Sequence, residues 1–405
     1  MEAKNRPGEI VDIAVVGGGA SGLAAAIAAA RAGTLAVVLE KLPRVGKKLL
    51  ATGNGRCNLG NESQAPGAYH GSVETAAVFD RFQGEAAFFR TLGLYVRPDE
   101  EGRLYPVTGQ AASVLDALRL MCRQLGVREV CDFPVCRVTP SGDCYQIESK
   151  AVITYRARSV ILATGGSAAP KFGTSGDGFD LARALGHAVT PLSPALAPIG
   201  VHPKAVGALK GLRVSANVTA LLKGRVVRSE QGQVQFTERA LSGICVFNLA
   251  AYRPDTLSLD LLPWCGDAGA LLTEIHKTRE NVPLEDLLTG LLPKRIGQAL
   301  LKSVTDMPMT APASALSAKA FSELAALLKD WQFETVLETD WDSAQVTAGG
   351  VTGIGPTLES PILPGLFFAG ELLDVHGDSG GYNLRWAWAS GTLAGEMAGR
   401  RHDPH

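Results

Sequence analysis

The chain has 405 residues and a formal net charge of −1, with 46% hydrophobic and 20% charged residues. That length makes room for two or three domains, and the composition is that of a globular protein with a sizeable core. The near-neutral balance excludes recruitment of nucleic acid or an anionic membrane by a global field, so any polyanion site has to be a local patch. In chain order, residues 11–16 (VDIAVV) predict a short buried parallel strand. A glycine turn and an alanine-rich helix over 21–32 follow, stopped by Gly33. Residues 36–40 (AVVLE) predict a second strand, making a βαβ unit that needs a parallel sheet and a right-handed crossover.

The stretch 74–92 reads as one helix with Val78, Phe79, Phe82, Phe89 and Leu92 on one stripe. Residues 95–106 read as a hairpin turning at Asp99-Glu100-Glu101-Gly102, and 111–125 as a helix. Strands follow over 128–164, with a hairpin at Gly142-Asp143 and a last strand, 159–163, ending in Thr164-Gly165-Gly166. A helix over 177–185 is closed by Gly186. Pro191, Pro194, Pro198 and Pro203 mark a boundary, 219–236 reads as antiparallel strands, and 268–330 as three or four short helices broken by prolines. After Gln345 the glycine-rich texture returns. The simplest organisation is one domain from both chain ends, 1–190 and 345–405, interrupted by an insert at 191–344. No span long enough to cross a membrane is visible, and the first ten residues have no signal-peptide core. The seven cysteines, an odd number without a CxxC pair, fit reduced thiols in a cytoplasmic protein and neither a disulfide framework nor a metal site.

Gly17-Gly18-Gly19-Ala20-Ser21-Gly22 matches GxGxxG directly after a strand and at the start of a helix, the context that makes the motif meaningful. Gly17 permits the tight turn, Gly19 lets backbone approach a pyrophosphate, and Gly22 allows close helix–strand packing. The helix N-terminus offers free N–H groups to phosphates, and Glu40 stands where it can accept from a ribose. NAD and FAD both fit this turn. The long basic loop 42–61, with Arg44, Lys47, Lys48 and Arg56, suits a larger cofactor over which it can reach back.

The segments GKKLLATGNGRCNLGN, ILATGG, GTSGDGFDLARALGH, FTERALSGICVFNLAA, VTAGGV and LFFAGELLDVHGDSGGYNLRWAWASG occur in this order between about Asp12 and Gly399. Together they resemble the BaiN/YhiN-type FAD flavoproteins, a bacterial family often labelled NAD(P)/FAD-dependent oxidoreductases or aminoacetone-oxidase-like proteins. The resemblance implies an α/β fold: a glutathione-reductase-type, Rossmann-like FAD domain from both chain ends. It also implies an insert made of a small β-barrel (191–265 and 331–344) and a helical subdomain (266–330). Members differ in activity: some resemble bile-acid reductases acting on a C=C conjugated to a ketone, others flavoenzymes that reduce a uridine of 23S ribosomal RNA to dihydrouridine. The shared chemistry is hydride delivery from reduced flavin to the β-carbon of an activated double bond.

On this reading FAD contacts Gly17, Gly19, Ala20, Ser21, Gly22, Glu40 and Lys41 at its nucleotide end, with Gly46, Lys48, Arg56, Cys57 and Asn58 from the loop. Thr164, Gly165, Gly350, Gly370, Glu371, Gly381, Tyr382 and Asn383 complete the site, the last helix placing its positive dipole end toward the flavin's pyrimidine ring. Reduction also needs a proton for the α-carbon. Cys57 either donates it or packs as a small side chain. His376, in a loop with Asp374 and Asp378, is read as the only histidine near a cofactor motif, and is an acid or structural. Tyr382 donates to a substrate carbonyl or packs on the cofactor. Arg56 is expected to pair with a carboxylate or phosphate, and Trp386 and Trp388 to be core. With one full GxGxxG, NAD(P)H is expected as a transient donor without its own domain.

Lys204, Lys210, Arg213, Lys223, Arg225, Arg228, Arg239, Lys294, Arg295 and Lys302 make the insert basic, either as a phosphate-tracking surface for ribosomal RNA or as ordinary solubilising charge. The expected substrate is therefore a uridine of 23S ribosomal RNA. The alternatives are a small conjugated ketone of steroid or bile-acid type, a flavin amine oxidase, or a non-catalytic flavoprotein.

Overall fold

The computed structural model describes residues 10–63, 65–151, 153–336 and 341–402. Most of the N-terminal stretch scanned for a signal peptide, and residues 337–340 of the expected barrel segment, lie outside them. The chain divides into two compact units, one from Met1–Pro194 with Ala344–His405, the other from Ala195–Ser343.

A parallel sheet organises the first unit. Ile13, Ala14 and Val15 are fully buried, as a strand covered on both faces requires. Their strand, Ile10–Val16, pairs in parallel with Ala36–Leu39 on one side and Thr154–Leu162 on the other. Arg128–Val130 continues the sheet beyond Ala36–Leu39. Thr154–Leu162 divides its free edge. Its first half pairs antiparallel with Cys144–Ser149, which returns to Val135–Ser141 through a hairpin. Its second half pairs in parallel with Leu366–Phe368 from the far end of the chain. The strand begins five residues earlier than the sequence predicts because Tyr155 and Ala157 face the core and the 144–149 strand holds this extension.

The helix Ala20–Arg31 buries Ser21 through Ala29. It packs along the last helix, Tyr382–Arg400, and the two backbones come close. A Cβ on Gly391 would strike the carbonyl of Ser21, and one on Gly395 the carbonyl of Ala25. The stretch 74–92, expected as one helix, is instead two short ones, Ala76–Phe79 and Glu85–Arg90. Gly84 opens the second with φ of +88°, outside the helical region, and Glu85 turns inward to lie 3.6 Å from Arg385 of the last helix. A long-range ion pair thus overrides the local apolar stripe.

The second unit is a six-stranded antiparallel sheet in the order Ile199–Gly200, Ala240–Ser242, Arg225–Phe236, Arg213–Leu222, Thr256–Asp260, Trp331–Glu334. Its outer strands meet through a bridge between Val201 and Thr335 and a 2.8 Å bond from the Val336 N–H to the Gly200 carbonyl, which closes the sheet into a barrel. The long hairpin turns at Lys223-Gly224, both with positive φ, as a two-residue primed turn requires. It starts at Arg213, six residues before the predicted strand. The helices Ala268–Arg279, Lys294–Val304 and Ala318–Lys329 share one apolar core with the barrel, to which Leu272, Leu300 and Leu324 and the strands' Val218 and Leu257 all belong.

Candidate cofactor and active site

Three glycines of the first turn meet different surroundings. Gly17 has φ of +108°, and a Cβ there would lie 2.5 Å from the Ala163 carbonyl oxygen. A Cβ on Gly22 would collide with the Gly17 carbonyl. Protein closes both positions. At Gly19 nothing lies within 4 Å of the Cβ position. Open room therefore stands before the N-terminus of Ala20–Arg31, which no side chain caps, leaving its first N–H groups to a ligand. Glu40 is buried, accepting from the Gly18 N–H at 2.8 Å and the Leu42 N–H at 2.9 Å. These bonds fix the carboxylate at the end of the second strand and leave lone pairs for hydroxyl donors.

The basic loop is stitched to both late segments of the chain. Lys48 Nζ lies 2.9 Å from Glu371, whose other oxygen accepts from the Thr347 N–H. Asn61 donates to the Gly380 carbonyl at 3.0 Å, and Trp388 Nε1 to that of Leu59 at 3.0 Å. Trp386, on another face of the same helix, donates to the Gly370 carbonyl, and Gly370 leaves no room for a Cβ against Ser21. The last helix is uncapped by any side chain and starts at Gly381, φ of +103°. A Cβ at Gly381 would lie 2.7 Å from Asn58 Oδ1, a buried oxygen with no hydrogen-bond partner among the described residues. Asn383 is held by Gly377, donating to its carbonyl at 2.7 Å and accepting its N–H at 2.8 Å. A second uncapped helix end thus stands beside an unsatisfied acceptor. With the open cradle at Gly19, this arrangement fits a two-ended dinucleotide.

Several residues expected at the cofactor also have partners within the protein. Lys41 bonds Asp177 at 2.8 Å and Ser175 at 2.6 Å. Gly46 lacks a Cβ because Leu115 fills that space, and Gly350 because the backbone of Leu373 and Asp374 does. Arg56 stacks on Tyr105, its guanidinium carbon 4.1 Å from the ring centre. Thr164 turns its hydroxyl toward Gly178, while Gly165 keeps a looser surrounding, with only a Thr174 methyl within 4 Å of its Cβ position.

Cys57 is fully buried and belongs to the main core. Burial pushes its thiol up to about 12, a hydrogen bond with Thr52 opposing the rise. With no exposed surface and its thiol raised by burial, Cys57 fits the packing role better than that of an acid that reloads from water. Tyr382 is also nearly buried, with the Tyr69 ring edge-on at 5.7 Å, and the Tyr69 hydroxyl donates to the Tyr382 carbonyl at 3.2 Å. Burial raises the Tyr69 phenol well above its usual range.

The segment around His376 is not a loop. Val375–Gly377 pairs antiparallel with Tyr69–Gly71, placing His376 directly opposite His70. Their ring centres are 5.2 Å apart, and His70 Nε2 lies 2.9 Å from Asp378 Oδ1. His376 is therefore not the only histidine at the cofactor motifs. No local pattern around His70 announces its role; only the strand pairing does. Among the described residues no cluster could hold a metal ion, and no helix is long and apolar enough to cross a membrane.

Residues 11–397 match the family described as HI0933-like protein Rossmann domain. A 3-dehydro-bile acid delta(4,6)-reductase of Clostridium scindens is 39% identical over 411 residues, covering 96% of this chain and 99% of its own length. A ribosomal RNA dihydrouridine synthase of Escherichia coli is 29% identical over 405 residues, covering 94% and 96%. A solved 3-ketosteroid-delta4-(5alpha)-dehydrogenase from Rhodococcus jostii aligns over 98% of this chain and 97% of its own at 17% identity and a TM-score of 0.46, a likeness that carries no functional argument.

Proposed function

The chain belongs to the HI0933-like family, and from that membership we propose that it is an FAD-dependent oxidoreductase reducing a carbon–carbon double bond conjugated to a carbonyl. Bound FAD supplies a hydride, renewed from NADH or NADPH. The observation that carries the cofactor reading is the room left at Gly19 before an uncapped helix N-terminus. The N–H groups of Ala20, Ser21 and Gly22 hold the pyrophosphate there, and Glu40 accepts from the ribose. Asn58 gives its unsatisfied oxygen to a ring donor. The N-terminus of Tyr382–Arg400 supplies partial positive charge where reduction accumulates negative charge. The Lys48–Glu371 pair and the Asn61–Gly380 bond hold these pieces in register. Orientation of the acceptor carbon against a fixed donor is the main contribution such a frame makes to rate.

The first reading of the substrate is a small fused-ring conjugated ketone, supported by the greater identity, over nearly full length, to the bile-acid reductase than to the RNA enzymes. The second is a uridine of ribosomal RNA, favoured by the exposed tip of the long hairpin with Arg225. Three of the ten insert cations are already neutralised: Lys210 by Glu238, Arg228 by Glu230, and Lys294 by Glu285 and Asp286. That weakens the phosphate-tracking reading. The test reduces the FAD-loaded protein anaerobically and offers a 3-keto-4-ene steroid or a dihydrouridine-free 23S ribosomal RNA fragment. Reoxidation by the steroid with a saturated product supports the first reading. Dihydrouridine in the RNA supports the second, and reoxidation by neither defeats both.

A further inference from the structure

Reduction of a conjugated double bond consumes one proton per turnover at the α-carbon, and the donor must be open to the ligand and able to reload from water. Around the start of the last helix the obvious acids fail that test. Cys57 is sealed in the core, and Tyr69 is mostly buried with its hydroxyl committed to the Tyr382 carbonyl. Glu371 is committed to Lys48 and the Thr347 N–H.

The two-stranded ribbon of Tyr69–Gly71 and Val375–Gly377 supplies what is missing. His70 and His376 are directly opposed on it, so both rings lie on one face. Asp378 is two residues beyond His376, and alternation brings it to that same face, 2.9 Å from His70. His70 keeps a quarter of its side chain exposed and Asp378 about a seventh, at 25% and 14%. The ribbon runs straight into Gly380-Gly381 and the uncapped helix end. Asn383 of the helix's first turn ties it there by bonding Gly377, and the Asp378 N–H on the Ala68 carbonyl extends the pairing of the two strands. The charged and titratable groups about His70 are Asp378, His376 and Asp374 from the facing strand and its ends, Tyr69 on its own strand, and Tyr382 at the helix start.

We propose that His70, oriented by Asp378 and flanked by His376, is the catalytic acid that protonates the α-carbon. The assignment rests on the C=C-reductase reading above. As hydride reaches the β-carbon, the π pair moves toward the carbonyl as an enolate. The imidazolium of His70 gives its proton to the α-carbon and keeps the N–H electron pair. Asp378 holds the imidazolium in place, and water returns the proton. The substrate gains one hydride and one proton, and the reduced flavin loses the same two electrons. An imidazole suits this role because its ordinary titration lies near neutrality.

The experiment uses the FAD-loaded full chain as wild type, His70→Asn, His70→Gln and Asp378→Asn. NAD(P)H reduction and anaerobic reoxidation by a 3-keto-4-ene steroid or the RNA fragment are followed by stopped flow across pH, and imidazole titrations by NMR without turnover. Both His70 variants are expected to keep FAD and be reduced at the wild-type rate, while reoxidation slows about 100-fold and loses its decline at high pH. Asp378→Asn is expected to move that decline and one imidazole titration to lower pH together. Reoxidation of the His70 variants within roughly 3-fold of wild type, with the decline intact, overturns the assignment alone. Should neither His70 variant fold, an imidazole titration that Asp378→Asn leaves unmoved overturns it. A reduced wild-type flavin that neither substrate reoxidises overturns the reductase reading and the assignment with it.

Discussion

Replacing Gly19 by alanine separates the cofactor cradle from the fold. Gly19 has φ of −84° and ψ of −165°, extended backbone that alanine adopts freely. The new methyl group meets no protein atom within 4 Å. Apoprotein stability should therefore stay within about 0.5 kcal/mol of wild type. The methyl does occupy the room before the uncapped N–H groups. Displacing a phosphate from one charge-assisted hydrogen bond loses about 1.5–3 kcal/mol, or roughly 10- to 150-fold in Kd. Gly22→Ala is the counterpart: its methyl collides with the Gly17 carbonyl, an overpacking that costs about 1–3 kcal/mol with or without ligand. Urea unfolding of the two apoproteins and titration of each with FAD by fluorescence quenching make the comparison. A Gly19→Ala protein that binds FAD like wild type, or whose apo form is weakened as much as that of Gly22→Ala, refutes the reasoning.

Cys57→Ala should keep FAD-dependent turnover and lose about 1 kcal/mol of stability from its buried sulfur, read from the urea midpoint. The folded thiol titrates near 12 against an ordinary 9.0, so its contribution to stability is fully present below about 9 and is lost as pH rises toward 12; alkaline unfolding of wild type against Cys57→Ala checks the sign. Burial raises the Glu85 carboxyl and the Arg385 charge opposes that rise, so Arg385→Met should leave Glu85 to take up a proton and destabilise the first unit by roughly 1–3 kcal/mol. A shift under 1 kcal/mol would mean that Glu85 is neutral in the fold. Lys48→Met breaks a partly buried pair with Glu371 and should change stability by about 1–2 kcal/mol while lowering FAD occupancy, measured as flavin per chain after gel filtration.

The sequence carried the parts of the site that are local. A glycine turn between a buried strand and a helix is written in consecutive residues, and so is the hairpin at Gly142-Asp143, where Ser141 pairs with Cys144. Contacts set from a distance were hidden. That Arg56 stacks on Tyr105 could not be read until the hairpin 96–106 placed that ring beneath it. The apolar stripe of 74–92 predicts one helix because nothing nearby discloses that Glu85 must reach Arg385. Cys57 sits in a glycine-rich stretch whose residues leave donor and packing roles open; its burial shows only once the bonds of Leu59 and Asn61 to the last helix fold that stretch inward. His70 became visible only when its strand found His376.

The contribution of Leu366–Phe368 and Tyr382–Arg400 to the first unit has a consequence for synthesis. The segment 195–343 is continuous and holds its own apolar core, so it can condense while the remainder is still being made. The cofactor-binding unit has no such option. The Gly22 end of the first helix waits for Gly391 and Gly395, and the central strand keeps a bare edge until residue 366 arrives. Through most of translation that edge and the alanine face of the first helix stay uncovered, and this is the stage at which the chain exposes most of its aggregation-prone surface.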